Sequence, residues 1–181
     1  MKTKLFLLAA IALTLSCCNK DEDPTKKPID LLPPATQTGE QTFGCLINGE
    51  AFVPPTFGNN APSAFYQFVD GAYTFGISGR SYTRGALHSI IIGGLEVPPI
   101  IETAFALKSF NNGNFYSLYD IEIQGNAETY YTNDDMQGIL TITHFDQANF
   151  IISGTFSFTV LDADANEINI TNGRFDMNYT N

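Results

Sequence analysis

The sequence predicts an all-β fold, an antiparallel β-sandwich of about ten short strands, with a barrel as the second choice. Apolar and polar residues alternate with a period of two in several short segments. Turn-forming residues interrupt these segments roughly every eight to twelve positions, as they do in sandwiches. No long segment has the 3.6-residue apolar stripe of an amphipathic helix. These three observations together favour strands over helices throughout the domain.

Two hairpins are predicted in the first part of the domain. Asn48-Gly49 separates residues 42–47 from 50–53, and Asp70-Gly71 separates residues 63–69 from 72–78. Both central positions of such turns need positive φ, which these residue types adopt at low cost. Residues 56–62 and 79–85 are interpreted as loops, and the apolar run 86–92 as a central strand. Residues 100–107 fit a strand or a short helix equally well.

The second part of the domain has a steadier pattern. In residues 149–160, Ile152, Phe156, Phe158 and Val160 share one face, whereas serine and threonine occupy the other. This period of two predicts a strand with one buried face. A last hairpin is expected at Asn172-Gly173. The remaining strands of this part are predicted at residues 115–123, 127–132, 138–145, 167–171 and 174–179.

The N-terminal residues have the features of a secretory signal. Lys2 and Lys4 precede an apolar run at residues 5–15, which is shorter than the roughly 20 residues that a membrane-spanning helix needs. We therefore expect a signal peptide at residues 1–17 and a disordered, Pro-rich and acidic tether at residues 18–40. A single domain at residues 41–181 follows. Leu31 and Leu32 are apolar enough to dock on that domain.

Two adjacent cysteines compete as the site of lipidation. A lipoprotein signal has an aliphatic residue three positions before the acylated cysteine and small residues between them. Leu15-Ser16-Cys17 places Cys18 in that context, whereas Thr14-Leu15-Ser16 makes Cys17 the alternative. Residues 19–23, Asn-Lys-Asp-Glu-Asp, resemble the export signal of surface lipoproteins in the Bacteroidota, with Cys18 as the first residue. The prediction is a lipid anchor on Cys18 in the outer membrane, facing the cell surface, with the periplasmic face as the alternative.

A wider resemblance supports the same location. The segments 42–49 (TFGCLING), 138–143 (GILTIT), 152–158 (ISGTFSF) and 170–176 (ITNGRFD) resemble uncharacterised Bacteroidota lipoproteins that carry a domain of unknown function. The resemblance implies an exported lipoprotein with a β-sandwich. It brings no catalytic residues, because none are established for that group.

Charge and cysteine content exclude several partners and chemistries. From residue 41 onward the chain has four basic residues against fourteen acidic ones. Such a domain repels phosphates, so we expect no nucleic-acid partner. Cys45 is the single cysteine of the domain and is interpreted as a buried apolar residue, since Phe43 and Ile47 alternate with it. Only its lipid is expected to tie the chain to the membrane, and the domain itself is expected to be a monomer.

No catalytic, cofactor or metal site is predicted. His88 and His144 are isolated within strand patterns, without the ligand spacing of a zinc site. Asp162, Asp164 and Asn166 have the spacing of the start of a calcium loop, but the glycine and the bidentate glutamate are missing, which favours an ordinary turn. The sequence also has no nucleophile elbow, phosphate loop or dinucleotide fingerprint.

The expected role is a non-catalytic binding or accessory module whose ligand is a glycan or an envelope protein. The alternatives are a structural component of the envelope with no small ligand and, third, a glycan-active enzyme. Fifteen Phe, eight Tyr and no Trp favour core packing over a sugar platform. Tyr82, Tyr130 and Tyr131 lie near loops and are the candidates for exposed rings.

Overall fold

The computed structural model describes residues 26–181, and most of these residues lie in strands. A 3₁₀ turn occupies Pro28–Leu31, and no helix of the described chain is long and apolar enough to cross a bilayer. The strands are β1 (Thr42–Ile47), β2 (Glu50–Phe52), β3 (Ser63–Val69), β4 (Ala72–Thr83), β5 (Ala86–Val97), β6 (Ala104–Lys108), β7 (Phe115–Ile123), β8 (Asn126–Tyr131), β9 (Gly138–Asp146), β10 (Ile151–Leu161) and β11 (Glu167–Asn178).

The all-β class is confirmed, and the strands join into one sheet. Its order is β2-β1-β11-β10-β9-β6-β7-β5-β4-β3, with β8 paired to β7. Neighbours are antiparallel except β6 and β7, which are parallel over two residue pairs. A separate pair of stacked sheets is not confirmed, because hydrogen bonds connect the described strands into a single sheet that curls into a half-barrel.

The curl brings distant strands face to face. A Cβ placed on Gly79 of β4 would lie 2.6 Å from the ring of Phe43 in β1. Strand β3, at the opposite edge of the sheet from β2, also contacts the C-terminal residues: the Tyr66 N–H donates to the Thr180 carbonyl at 2.8 Å. One continuous sheet therefore encloses its own core.

The core is aromatic and aliphatic, as the Phe content predicts. Phe156 is 3% exposed and packs its ring 5.2 Å from that of Phe43 and 6.5 Å from that of Phe175. Each buried phenylalanine removes enough apolar surface from water to contribute about 2 kcal/mol to folding. The inward face of β10 contributes these buried side chains, and they alternate along the strand as its period-two pattern predicts.

Two hairpin turns fold as predicted. Asn48 and Gly49 adopt φ of 50° and 84°, and Asp70 and Gly71 adopt 52° and 91°. These pairs of left-handed residues match the twist of the strands that they join.

The predicted loop at residues 79–85 is instead the end of β4, which continues to Thr83. Gly79 and Ser81 face the interior while Arg80 is exposed, so the alternation persists through this polar stretch. The chain reverses only at Arg84 and Gly85, whose φ angles are 52° and 81°. For residues 100–107 the sequence permits either a strand or a helix, and the structure has strand β6 from Ala104 to Lys108.

The hairpin predicted at Asn172-Gly173 is wrong. Strand β11 runs through both residues, and its pairing with β10 shifts by one residue at this point, which is a β-bulge. Asn172 takes φ of 54°, and a Cβ on Gly173 would lie 2.5 Å from the ring of Phe156. The Asn-Gly pair therefore accommodates a bulge and a core ring.

The last part of the predicted tether lies on the domain. Leu32 is 8% exposed, whereas Leu31 remains 53% exposed. A Cβ on Gly44 would lie 2.6 Å from the Pro33 ring, so the tether covers the outer face of β1. Because β1 is then covered on both faces, residues 43–46 are all buried. The disorder expected for residues 18–40 therefore does not extend over residues 28–40.

Candidate functional site

The residues predicted to carry the lipid lie outside the described part of the chain. Cys18, its alternative Cys17 and the whole predicted signal peptide precede Lys26, at which the described structure begins. The candidate site that the structure does describe is a groove close to this point.

The groove lies at one end of the curled sheet and has a volume of about 670 Å³. Strand β2, the β4–β5 turn, strand β5 and the 3₁₀ turn of the tether surround it. Its apolar wall is formed by Pro28, Leu31, Ile47 and Phe52. Leu31 projects into the groove from the tether, which explains why this leucine stays exposed while Leu32 is buried.

A histidine–tyrosine pair forms the polar part of the groove. His88 on β5 and Tyr119 on β7 contact each other through Nδ1 and the phenolic oxygen, which are 2.7 Å apart. Their rings stack with centroids 5.9 Å apart. The register of β5 and β7 places His88 opposite Ile121, so the two side chains meet diagonally across the strand pair.

Burial controls the protonation of this pair. Desolvation lowers the pKa of His88, a hydrogen bond to the Thr83 backbone opposes that change, and the charge of Arg84 lowers the pKa further. Burial, with smaller effects of Tyr130, Asp120 and Cys45, raises the pKa of Tyr119 to about 12. Both side chains are therefore neutral near pH 7 and present hydrogen-bonding groups without charge.

The rim of the groove carries one ion pair. Arg84, in the β4–β5 turn, pairs with Glu50 at the start of β2. Both side chains are more than half exposed, and exposed pairs contribute little to stability. Either charge is consequently available to a ligand at small cost to the fold.

The other residues singled out from the sequence lie apart from one another. His144 is on β9, with its Nδ1 3.5 Å from Oε1 of Glu102. Cys45 is fully buried, and that burial raises the pKa of its thiol well above the usual range. Within residues 26–181, no group of three or more His, Cys, Asp or Glu side chains is arranged to hold a metal ion.

The acidic turn between β10 and β11 is stabilised by the side chain of Asp162. Oδ1 of Asp162 accepts hydrogen bonds from the backbone N–H groups of Asp164, at 2.9 Å, and Asn166, at 2.8 Å. The bonds from Asn166 and Asp164 lower the pKa of Asp162. This is the ordinary Asp/Asn turn that the sequence predicts.

The three tyrosines predicted to be exposed differ in their surroundings. Tyr82 is 68% and Tyr131 is 42% exposed, whereas Tyr130 is partly buried and donates its hydroxyl hydrogen to Glu128. Tyr131 stacks on Phe110, with ring centroids 5.6 Å apart, and Phe110 contacts Tyr116. Sequence reasoning missed this cluster because it joins the β6–β7 loop to β7 and β8.

The His88–Tyr119 pair and Arg84 were also missed as components of a site. His88 and Tyr119 are 31 positions apart, and their contact depends on the pairing of β5 with β7, which no local pattern reveals. The sequence predicts a loop over residues 79–85, which does not indicate that Arg84 lies at a tight reversal between two long strands.

We compared the chain with known proteins in three ways. A scan of protein-family models, a search of curated proteins and a search of solved structures return no significant match to the chain.

Proposed function

We propose that the chain is an outer-membrane lipoprotein, anchored through Cys18 and displayed at the cell surface, whose β domain is a non-catalytic binding module. The signal features of residues 1–17 and the Asn-Lys-Asp-Glu-Asp segment after Cys18 support the location. The observation that supports a binding role most directly is the 670 Å³ groove beside the 3₁₀ turn of the tether.

The groove combines the features of a small-ligand site. It has an apolar wall, two neutral polar side chains and an ion pair at its rim, and sites of this composition commonly orient a ligand by a few polar contacts. His88 and Tyr119 have pKa values displaced away from neutrality in opposite directions. Because both side chains are neutral near pH 7, they can orient a ligand through hydrogen bonds without adding charge to the groove.

The groove would also lie close to the anchor. Pro28, which lines it, is ten positions after Cys18 in the sequence. A fully extended segment of that length spans at most about 35 Å. A ligand held in the groove would therefore be kept near the membrane face of the domain, as expected for an accessory module that delivers its ligand to an envelope partner.

A binding screen tests this proposal. The full-length chain in mild detergent would be titrated with oligosaccharide and peptide panels up to about millimolar concentration, where weak sites are still detected. Arg84→Ala should weaken the interaction, because it removes a rim charge that a ligand can use. Arg80→Ala is the matched control, since Arg80 is an exposed arginine of the same hairpin whose Nε donates to Ser89. No ligand in either panel would contradict the proposal, and an equal response of both variants would exclude the groove as the binding site.

The second candidate is an assembly component of the envelope that binds other proteins and no small ligand. Phe57, in the loop after β2, is 86% exposed, and Phe68 at the edge strand β3 is 63% exposed. Exposed rings of this kind are frequent in protein interfaces. Crosslinking of intact cells, compared between wild type and a Phe57→Ser, Phe68→Ser variant, tests it: loss of a crosslinked species would support the assembly role.

A further inference from the structure

A row of aromatic and glycine residues crosses the outer face of the sheet. The hydrogen-bonded register places Phe65 of β3 opposite Gly76 of β4, Gly76 opposite Gly93 of β5, and Gly93 opposite Tyr116 of β7. These four residues, called the aromatic row below, share one face because residues that pair across strands point to the same side. The row therefore has a ring at each end and two bare backbone positions between.

Both rings lie over the glycines. A Cβ on Gly76 would be 2.3 Å from Cε1 of Phe65, and a Cβ on Gly93 would be 2.6 Å from Cζ and from the hydroxyl of Tyr116. The rings thus occupy the space that side chains would fill, and both glycines are buried beneath them. The aromatic row lies close to the backbone of the sheet and spans three strand spacings, from β3 to β7, or about 14 Å.

Two further rings extend the surface beyond Tyr116. Phe110 contacts Tyr116 at a centroid distance of 4.6 Å and stacks with Tyr131 at 5.6 Å. Phe110 is 49% and Tyr131 is 42% exposed. Phe65 is 37% exposed, so three of the four rings keep a large part of their surface in solvent. A group of exposed rings on one face of a sheet is typical of a binding surface.

The polar groups beside the row are mainly neutral. Along its β3–β4 side, the Ser63 and Ser78 hydroxyls are 2.9 Å apart, and Gln67 pairs with Thr74 one row away. Charged groups lie at the Tyr116 end, where Lys108 pairs with Tyr116 in the parallel register and Asp134 accepts a hydrogen bond from Ser109. Arg80 lies on the same face of β4, two rows from Gly76. A ligand for this surface needs flat apolar faces, many hydroxyl groups and little net charge.

We propose that the aromatic row, with Phe110 and Tyr131, binds a neutral glycan chain through its pyranose rings. The C–H faces of the sugar would stack on Phe65 and Tyr116, since aromatic rings attract positively polarised hydrogens to their faces. Phe110, whose ring stands at 71° to that of Tyr116, would contact the edge of the glycan chain. Sugar hydroxyls would reach the serine hydroxyls on one side and the Asp134 carboxylate at the end. The proposal names a ligand class for the binding role proposed above and rests on that role, but it uses a surface separate from the groove.

Affinity electrophoresis tests the assignment. The full-length chain in mild detergent would be run through gels that contain a soluble β-glucan, an α-glucan, a galactomannan or the anionic polymer alginate. We expect retardation by at least one neutral polymer and none by alginate. Phe110→Ala combined with Tyr116→Leu should reduce the apparent affinity about tenfold, because one stacking face and one edge contact are lost. Leucine still covers Gly93, so the melting temperature should stay near that of the wild type.

Two controls separate this proposal from the others. Phe57→Ala removes an exposed ring remote in sequence from the row and should leave retardation unchanged. Arg84→Ala alters the groove alone. If only Arg84→Ala abolished retardation, the aromatic row would be excluded as the glycan site while the proposed binding function stood. If no neutral polymer retarded the chain, or if binding were confined to protein partners or to phospholipid vesicles, the glycan assignment would be overturned.

Discussion

The Asp176 carboxylate accepts a hydrogen bond from the backbone N–H of Gly39 at 2.8 Å, which fastens the end of the tether to the last strand. Thr38 and Glu40 donate to the same side chain at 3.0 and 3.2 Å, and the Ser153 hydroxyl donates at 2.7 Å. Asp176 is 1% exposed. A buried carboxylate surrounded by donors is stable in its charged form, so this contact determines where the tether leaves the domain.

The pKa of Asp176 follows from the same contacts. Burial alone would raise it, but the Thr36 hydroxyl, the Thr38 and Gly39 N–H groups and the Ser153 hydroxyl lower it to about 2. Among these groups the Thr36 hydroxyl lowers the pKa most, followed by the Thr38 N–H. Together these groups outweigh the effect of burial and stabilise the charged form of Asp176.

Asp176 should make stability depend on pH in the acid range. Because its folded pKa is lowered, its contribution is fully present above the unfolded value of 3.8 and is lost as the pH falls toward 2. The difference corresponds to about 2 kcal/mol of unfolding free energy. Urea denaturation of the wild type and Asp176→Asn between pH 2 and 6 tests this. The variant should be less stable at pH 6 and show a weaker pH dependence; parallel curves for the two proteins would contradict the assignment.

His88 offers a second titration test, within the groove. Its pKa is lowered first by burial and further by the charge of Arg84, so the folded state favours the neutral ring. The unfolding free energy should therefore be unaffected by His88 above pH 6.5. It should decrease as the pH falls below 6.5, because the unfolded state then binds the proton more readily than the folded state. In an NMR titration, His88 should titrate below 6.5, and Arg84→Ala should shift its midpoint upward. A midpoint that is unchanged or lowered would show that Arg84 does not act on the ring.

Phe156 should be among the most costly core positions. It is 3% exposed and contacts Phe43, Phe158 and Phe175. We expect Phe156→Ala to lower the unfolding free energy by about 3–5 kcal/mol, since it leaves a cavity among these rings. Phe57→Ala is the control, because a side chain that is 86% exposed should change stability by no more than about 0.5 kcal/mol. Equal effects in thermal or chemical denaturation would be inconsistent with this packing.

Gly173 tests the bulge in β11 against the hairpin that the Asn-Gly pair predicts. An added Cβ would meet the Phe156 ring at 2.5 Å, so Gly173→Ala must displace a core side chain. Gly49 has open space around it and φ of 84°, so Gly49→Ala should cost only the backbone strain, about 1 kcal/mol. We expect Gly173→Ala to be the more destabilising of the two in denaturant titrations. The reverse order would favour a turn at residue 173.

The two Asn-Gly pairs show how far the sequence could predict the fold. Asn48-Gly49 and Asn172-Gly173 have the same local preference for positive φ, yet only the first reverses the chain. The second lies where β11 must pass the Phe156 ring, and that packing depends on strands distant in sequence. Local alternation was sufficient for the all-β class and the buried face of β10. It contained no information on the curl that joins both halves into one sheet.

The candidate sites depend even more on pairing between distant strands. His88 meets Tyr119, and Gly76 meets Gly93, only through the register of β4, β5 and β7. Glycines within strands signal a close approach, but the sequence does not say whose ring covers them. The sequence correctly predicts exposed rings at Tyr82 and Tyr131, but Phe110, the ring that stacks on Tyr131, lies in a loop with no strand pattern.

The central claim, that the domain is displayed from a lipid on Cys18, is tested most directly by mass spectrometry of the mature N-terminus combined with protease treatment of intact cells. The account predicts a mature chain that begins at an acylated Cys18 and a domain that external protease removes, with both features lost in Cys18→Ser. An unmodified Cys18, or a domain that resists protease until the outer membrane is opened, would contradict it.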